Sequence, residues 1–227
     1  MDQIGVYKVA VVVDGVRQRI YRQGERYFVA GEPGKAYAIE VINPGNRRIE
    51  VLESVDGRDV LKDQAASLSN SGMVIGAWAT WRNVGWRLND NEVREFKFGS
   101  PEGSVAVQAT GSAAGVGVIG VAVYTEKRQE PKYWVTYSGS NLAMSRGFPT
   151  LDSVGEVKSL ARGADLGTGM GATVQDHVGH TTFERASGVS TVEIQYRTLG
   201  WLRDHGILSE EYPSAWPSGS TGYERYK

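Results

Sequence analysis

The chain has 227 residues, no cysteine, 29 glycines and a formal net charge of −1. Without thiols it forms no disulfide and no thiolate metal site, and with no basic stripe it is a poor match for duplex nucleic acid, whose binders neutralise several phosphates with Lys and Arg. The length suits one large β domain or two smaller ones, able to bury roughly 70% of their unfolded surface without staples.

The N-terminal run has an acidic second residue, is interrupted at Lys8 and ends at Asp14-Gly15. It reads as a strand and not as a signal peptide. Val6–Val13 and Val16–Tyr21 flank Asp14-Gly15, a dipeptide suited to the two positive φ angles of a tight hairpin turn. Arg22–Glu25 turns the chain into a strand over Arg26–Ala30, and Gly31–Gly34 turns it again. Strands follow over Ala36–Ile42 and Arg48–Val55, separated by the turn Asn43–Asn46. Asp56-Gly57 repeats the hairpin signal and leads into Arg58–Leu61.

Residues 62–72 are small and polar and read as a long loop. Short strands are expected over Gly72–Ala77 and Val84–Leu88, then over Glu92–Phe98, with Phe96, Phe98 and Arg94 on one side. A further strand is expected over Val105–Ala109. Gly115–Tyr124 (GVGVIGVAVY) is apolar at both alternating sets of positions, which predicts a central strand buried on both faces. About ten short strands at intervals of about 8–12 residues, without helical periods between them, predict a mainly β, antiparallel sandwich of jelly-roll type.

The texture changes after residue 127. Residues 128–166 read as an irregular connector with one short helix at Ser153–Ala161, started by the capping spacing of Ser153 and Glu156. Residues 167–208 read as a smaller β-rich extension: a strand over Ala172–Val178 opened by Gly167–Gly171, strands over Thr181–Arg185 and Thr191–Arg197, and a last helix Leu199–His205 capped by Thr198 and stopped by Gly206. Residues 209–227 form a tail with Tyr212, Trp216, Tyr223 and Tyr226 among Pro, Ser and Gly. These four aromatics are candidate partner contacts, packing on the tail's own domain or on a neighbour.

No catalytic pattern stands out. Gly167–Gly171 lacks the Lys and the following helix of a phosphate loop. Asp176, His177, His180 and Glu184 are ligand types, but odd spacing on a strand sends the two histidines to opposite faces. Ser138, Ser140 and Ser220 lack a nucleophile-elbow pattern. Trp78, Trp81, Trp86, Tyr133, Trp134 and Tyr137 are either core aromatics or a stacking platform for a sugar or a protein.

Three runs, VLESVDGRDV (Val51–Val60), GWRLNDNEVREFKFGS (Gly85–Ser100) and VGVIGVAVYTEK (Val116–Lys127), resemble a recurring β-sandwich of uncharacterised bacterial and bacteriophage proteins; Gly167–Gly171 and TFERAS (Thr182–Ser187) resemble its longer members. The resemblance brings no catalytic residue. The resembled proteins have no settled activity; their bacteriophage flavour, with the cysteine-free, glycine-rich sandwich, the missing active-site motifs and the aromatic tail, leads to the expectation of a non-enzymatic structural protein, such as a capsid, decoration or spike-base subunit in a bacteriophage virion. Expected partners are other virion subunits or copies of itself in a homo-oligomer, with no cofactor, metal, nucleic acid or membrane. The alternative is a module that binds carbohydrate or a cell surface through Trp78, Trp81, Tyr133, Trp134 and Tyr137.

Overall fold

The computed structural model describes residues 2–128 and 163–208. The expected helix at Ser153–Ala161, the aromatics Tyr133, Trp134 and Tyr137, and the tail residues Tyr212, Trp216, Tyr223 and Tyr226 lie outside the described residues.

Two sheets face each other. The first begins with the hairpin β1 (Val9–Val13) and β2 (Val16–Arg17), turned by Asp14 and Gly15 at φ 50° and 80°. β1 pairs antiparallel with β5 (Ala36–Ile42), so Val9, Val11, Tyr37, Ile39 and Val41 share the inner face. β9 (Thr80–Asn83) and β10 (Gly85–Asn89) then form a V. Asn83 lies opposite Ile39 of β5, and Gly85 lies opposite Glu95 of β11 (Glu92–Gly99). Beyond the point of the V, β5 and β11 pair directly through Tyr37 and Phe96. β13 (Gly167–Gln175) completes this sheet on the far side of β11.

The second sheet runs β3 (Ile20–Gln23), β4 (Arg26–Gly31), β14 (Ser190–Thr198), β12 (Val118–Thr125) and β6 (Ile49–Val55). The far edge of β6 is shared by β7 (Arg58–Asp59) and β8 (Met73–Ile75). β14 runs parallel to β4, and every other strand pairing among the described residues is antiparallel. The inner faces meet in one core of Val, Ile and aromatic side chains, including Val51, Ile119, Val121, Ile194 and Tyr196. The expected antiparallel sandwich is the observed architecture.

Several elements differ from their sequence reading. The central strand begins at Val118, because Gly115 and Gly117 hold φ of 86° and 84° and still belong to a turn. Val105–Thr110 is a helix, α1, despite its β-branched residues. The Ser104 hydroxyl accepts the N–H of Val107 at its start, and Gly111 closes its end at φ 68°; two caps outweigh a small propensity difference over six residues. The glycine run opens no separate strand but is itself the first half of β13. At Gly167 a Cβ would come within 2.8 Å of Ser104, and at Gly171 within 2.9 Å of Glu95, so glycine lets these layers approach. Thr181–Arg185 makes only an isolated bridge, Arg185 to Glu126. Its side chains hold it instead: Arg185 donates to Glu50 (2.6 Å) and to the Leu68 carbonyl (2.7 Å), and lies over the Tyr124 ring. α2 (Leu199–Asp204) follows its reading, with Thr198 accepting from the Trp201 N–H.

Residues 163–208 do not stand beside the sandwich. β13 extends the first sheet and β14 sits inside the second, so residues 167–208 share the core of residues 1–127.

One carboxylate joins these parts. Asp56 occupies the first turn position of the β6–β7 hairpin, at φ 54°, and is 2% exposed. Its Oδ1 accepts the Gly117 N–H (2.8 Å) and the Tyr196 hydroxyl, and its Oδ2 accepts the Thr168 N–H (2.8 Å). The Thr168 hydroxyl donates across to Tyr196 of the second sheet (2.8 Å) and bonds Tyr37 of its own sheet (2.8 Å). The order Tyr37, Thr168, Tyr196, Asp56 is a relay of hydroxyls ending on a charge-capable acceptor, which polarises each bond in turn. Asp56→Ala leaves two N–H groups and a hydroxyl buried without an acceptor. The expected loss is on the order of 4 kcal/mol in urea unfolding, against about 1–2 kcal/mol for Tyr196→Phe. Equal, small losses would mean that the relay does not hold the sheets.

Candidate functional site

The three tryptophans of the Trp78/Trp81/Trp86 group separate. Trp86 is 3% exposed and meets Phe96 edge-on at 5.3 Å. Trp81 is partly buried against the core. Trp78 is 70% exposed and holds φ 57°, a region that bulky side chains avoid. Of the platform expected from Trp78, Trp81, Tyr133, Trp134 and Tyr137, Trp78 is thus turned to solvent and Trp81 toward the core, and the other three lie outside the described residues.

What holds Trp78 out is a pair of crosslinked loops at one end of the sandwich. Asn43, 1% exposed, follows β5 and sends its amide to the carbonyls of Arg47 and Gly76, both at 2.7 Å. Its side-chain oxygen accepts the Gly45 N–H at 3.0 Å. The backbones join too: Asn43 N–H to Ala79 O (2.9 Å) and Trp78 N–H to Gly45 O (3.0 Å). A buried asparagine with its amide and carbonyl both satisfied fixes two turns in one geometry. Strain at Trp78, of order 1–3 kcal/mol, persists because these bonds over-determine the loop. Around it Pro44, Asn46, Arg47 and Ala77 are exposed, and Arg47 makes no ion pair among the described residues. This knuckle is the candidate site. Asn43-Pro44-Gly45-Asn46 is legible in the sequence as a turn; the role of Asn43 as a crosslink depends on Gly76, 33 residues away.

The ligand-type residues go elsewhere. Asp176 pairs with Arg87, His177 with Asn91 (2.8 Å), His180 with Asp90 (3.1 Å) and Glu184 with Lys127 (2.5 Å). Among the described residues no group of three or more His, Asp or Glu is placed to hold a metal ion. No helix among them is long and apolar enough to cross a membrane.

A shallow cleft of about 230 Å³ lies on the outer face of the second sheet, floored by Leu52, Gly120 and Ala122 and overhung by Ser67 and Leu68. It is smaller than the roughly 300–1,000 Å³ usual for small-molecule sites.

Two buried carboxyls carry displaced proton affinities. Burial raises Asp56 to about 6, against the bonds from Tyr196, Thr168 and Gly117 that favour its charge. Glu53 projects from β6 between the sheets and is 4% exposed. Asn83, at the point of the V, donates to one oxygen at 2.7 Å, while the other has no partner among the described residues. Burial, weakly opposed by Asn83, raises Glu53 to about 8. A neutral carboxyl at this place avoids the larger cost of an unpaired interior charge.

No family model, curated protein or solved structure matches this chain.

The Glu53 carboxyl sets a direction for stability against pH. The unfolded chain releases this proton near the ordinary value of 4.5 and the folded chain near 8, so the folded form holds the extra proton between them. Stability therefore falls as pH rises through that window, with the loss complete above about 8 and on the order of several kcal/mol. Asp56 acts in the same direction, between its ordinary value of 3.8 and about 6. Urea midpoints of the wild type are expected to drop from pH 6 to pH 9, and those of Glu53→Gln to stay nearly level. Parallel slopes for the two proteins would overturn the assignment.

Proposed function

We propose that the protein is a non-enzymatic structural subunit that works through protein–protein contacts, with a bacteriophage virion (capsid, decoration layer or spike base) as its setting. The observation that carries the contact role is Trp78, exposed and strained on a crosslinked knuckle. A chain gains nothing in stability by holding a large apolar ring in water at a costly φ, so the geometry serves something outside it. Trp and Arg are also the residue types that dominate binding energy at protein interfaces, and Arg47 is exposed on the same crosslinked loop pair. A sugar platform would call for aromatic faces in one plane, whereas Trp81 and Trp86 are turned into the core. The virion setting rests on the resemblance of the three sandwich runs alone.

Trp78→Gly separates the contact from the fold. Glycine accepts φ 57° without strain, so the variant is expected to melt slightly higher, by about 1 kcal/mol in stability. It is also expected to be lost from purified particles that retain the wild-type chain. A photo-crosslinking residue at position 78 should capture a polypeptide. If the wild type is missing from particles, the crosslinker captures no protein, and a glycan array shows Trp78-dependent binding, the carbohydrate-module reading replaces this one.

A further inference from the structure

A sandwich has four sheet edges, and this chain treats one of them differently. β2 is two residues long and carries Arg17. β3 is four residues long and carries Arg22, with Arg19 just before it. The β6 edge is covered by β7, of two residues with both charged, and by β8, of three. Shortness and charge are the usual devices that keep edges from pairing with other chains. β13 has neither: it is nine residues long, reads GTGMGATVQ, and contains no charge and no proline. Among the described residues, only β11 pairs with it.

Part of its outer side is closed by the protein itself. The Thr168 N–H turns away from β11 to Asp56, so the ladder's alternation sends the Met170 N–H outward as well. A register shift follows between Met170 and Thr173. Beyond it the Asp176 N–H bonds Asn91 on the β11 side, which leaves those of Thr173 and Gln175 facing out. Among the described residues the open edge is thus Met170–Gln175, about 20 Å of strand.

We propose that this edge pairs antiparallel with the same edge of a second copy, joining two first sheets across a two-fold axis. Antiparallel self-pairing is closed and isologous, so each outward N–H finds a carbonyl of the partner's identical strand. Charge compatibility selects the edge: β13 sets no like charges opposite each other, whereas self-pairing of β3 would bring arginines together. Glycine and alanine at 171 and 172 leave room for the two backbones to approach. Such a short strand pair falls at the low end of specific interfaces, so the dimer is weak and concentration-dependent. This contact is separate from the Trp78 knuckle and is tested separately from it.

The test is solution mass by light scattering and amide hydrogen exchange on the full chain, from tens of micromolar to about 1 mM. The wild type is expected to shift from monomer to dimer, with exchange at Met170, Thr173 and Gln175 slowing as the dimer forms. Thr173→Pro removes an outward N–H, and Met170→Lys sets a charge on the edge; both are expected to stay monomeric with a near wild-type melting temperature. Met170→Lys gives the answer if the proline variant folds poorly. A wild type that stays monomeric throughout, including one whose β13 amides are already protected by its own chain, overturns the proposal. So does an oligomer that Met170→Lys leaves unchanged.

Discussion

The carboxylate of Asp56 is the constraint around which the sandwich closes. A carboxyl drawn out of water must collect hydrogen-bond donors or give up its charge. Here the donors are the backbone at Gly117, the backbone at Thr168 and the hydroxyl of Tyr196. They stand just before β12, at the start of β13 and near the end of β14. One side chain in a tight turn thus determines where three later strands enter their sheets, and the Tyr37–Thr168 bond carries that placement across to β5. Tyr37 stacks on Phe98 at 4.2 Å and lies 5.3 Å from Phe96, so the polar relay and the apolar core share members.

Three buried acids, on β5, on β6 and in the turn after β6, meet desolvation in three ways. Burial works against the charge of Glu40 on the outer face of the first sheet, but bonds from Arg82 and Arg17 overcome it and hold its pKa below the ordinary value. Asp56 has neutral donors only and ends up raised. Glu53 has one amide and ends up raised further. The ranking follows the number and charge of the donors together with depth, since Glu40 lies on an outer face beneath two arginines and Glu53 lies between the sheets. The same arrangement has a structural use: the Glu53–Asn83 bond spans the core to the point of the V formed by β9 and β10, and the Arg87 N–H reaches the Val60 carbonyl of the other sheet at 2.8 Å.

Much of the fold is legible because its turns are chemical. Asp14-Gly15 and Asp56-Gly57 need positive φ twice in succession, and few other dipeptides supply that, so both hairpins can be read directly. β5 can be read residue for residue because turn residues flank a continuous β-rich run. The misreadings have one local and one distant cause. Val105–Thr110 looks like a strand until its two caps are counted, and Thr181–Arg185 looks like one until Arg185 is known to be held by Glu50. The candidate site was less legible. A turn at Asn43–Asn46 and a nearby tryptophan are visible in the sequence, but exposure of Trp78 follows from a crosslink between loops far apart in the chain. Nor does local patterning show that Asp56, read as a turn residue, also serves as a core acceptor: its donors lie 61, 112 and 140 residues away.

The position of β14 has a consequence for how the chain reaches this state. β14 lies between β4, made more than 150 residues earlier, and β12, and it is the sole parallel neighbour of β4. Until residue 198 has left the ribosome, the second sheet is two fragments, β3–β4 and β6–β12, each with an unfilled edge. The N-terminal strands cannot mature in order of synthesis; they wait, and closure comes as one late insertion that sets β14 between both fragments. Folding of this kind is governed by long loop closure and is slow. The interval in which β4 and β12 stand open is the period when the nascent chain most needs shielding from its neighbours.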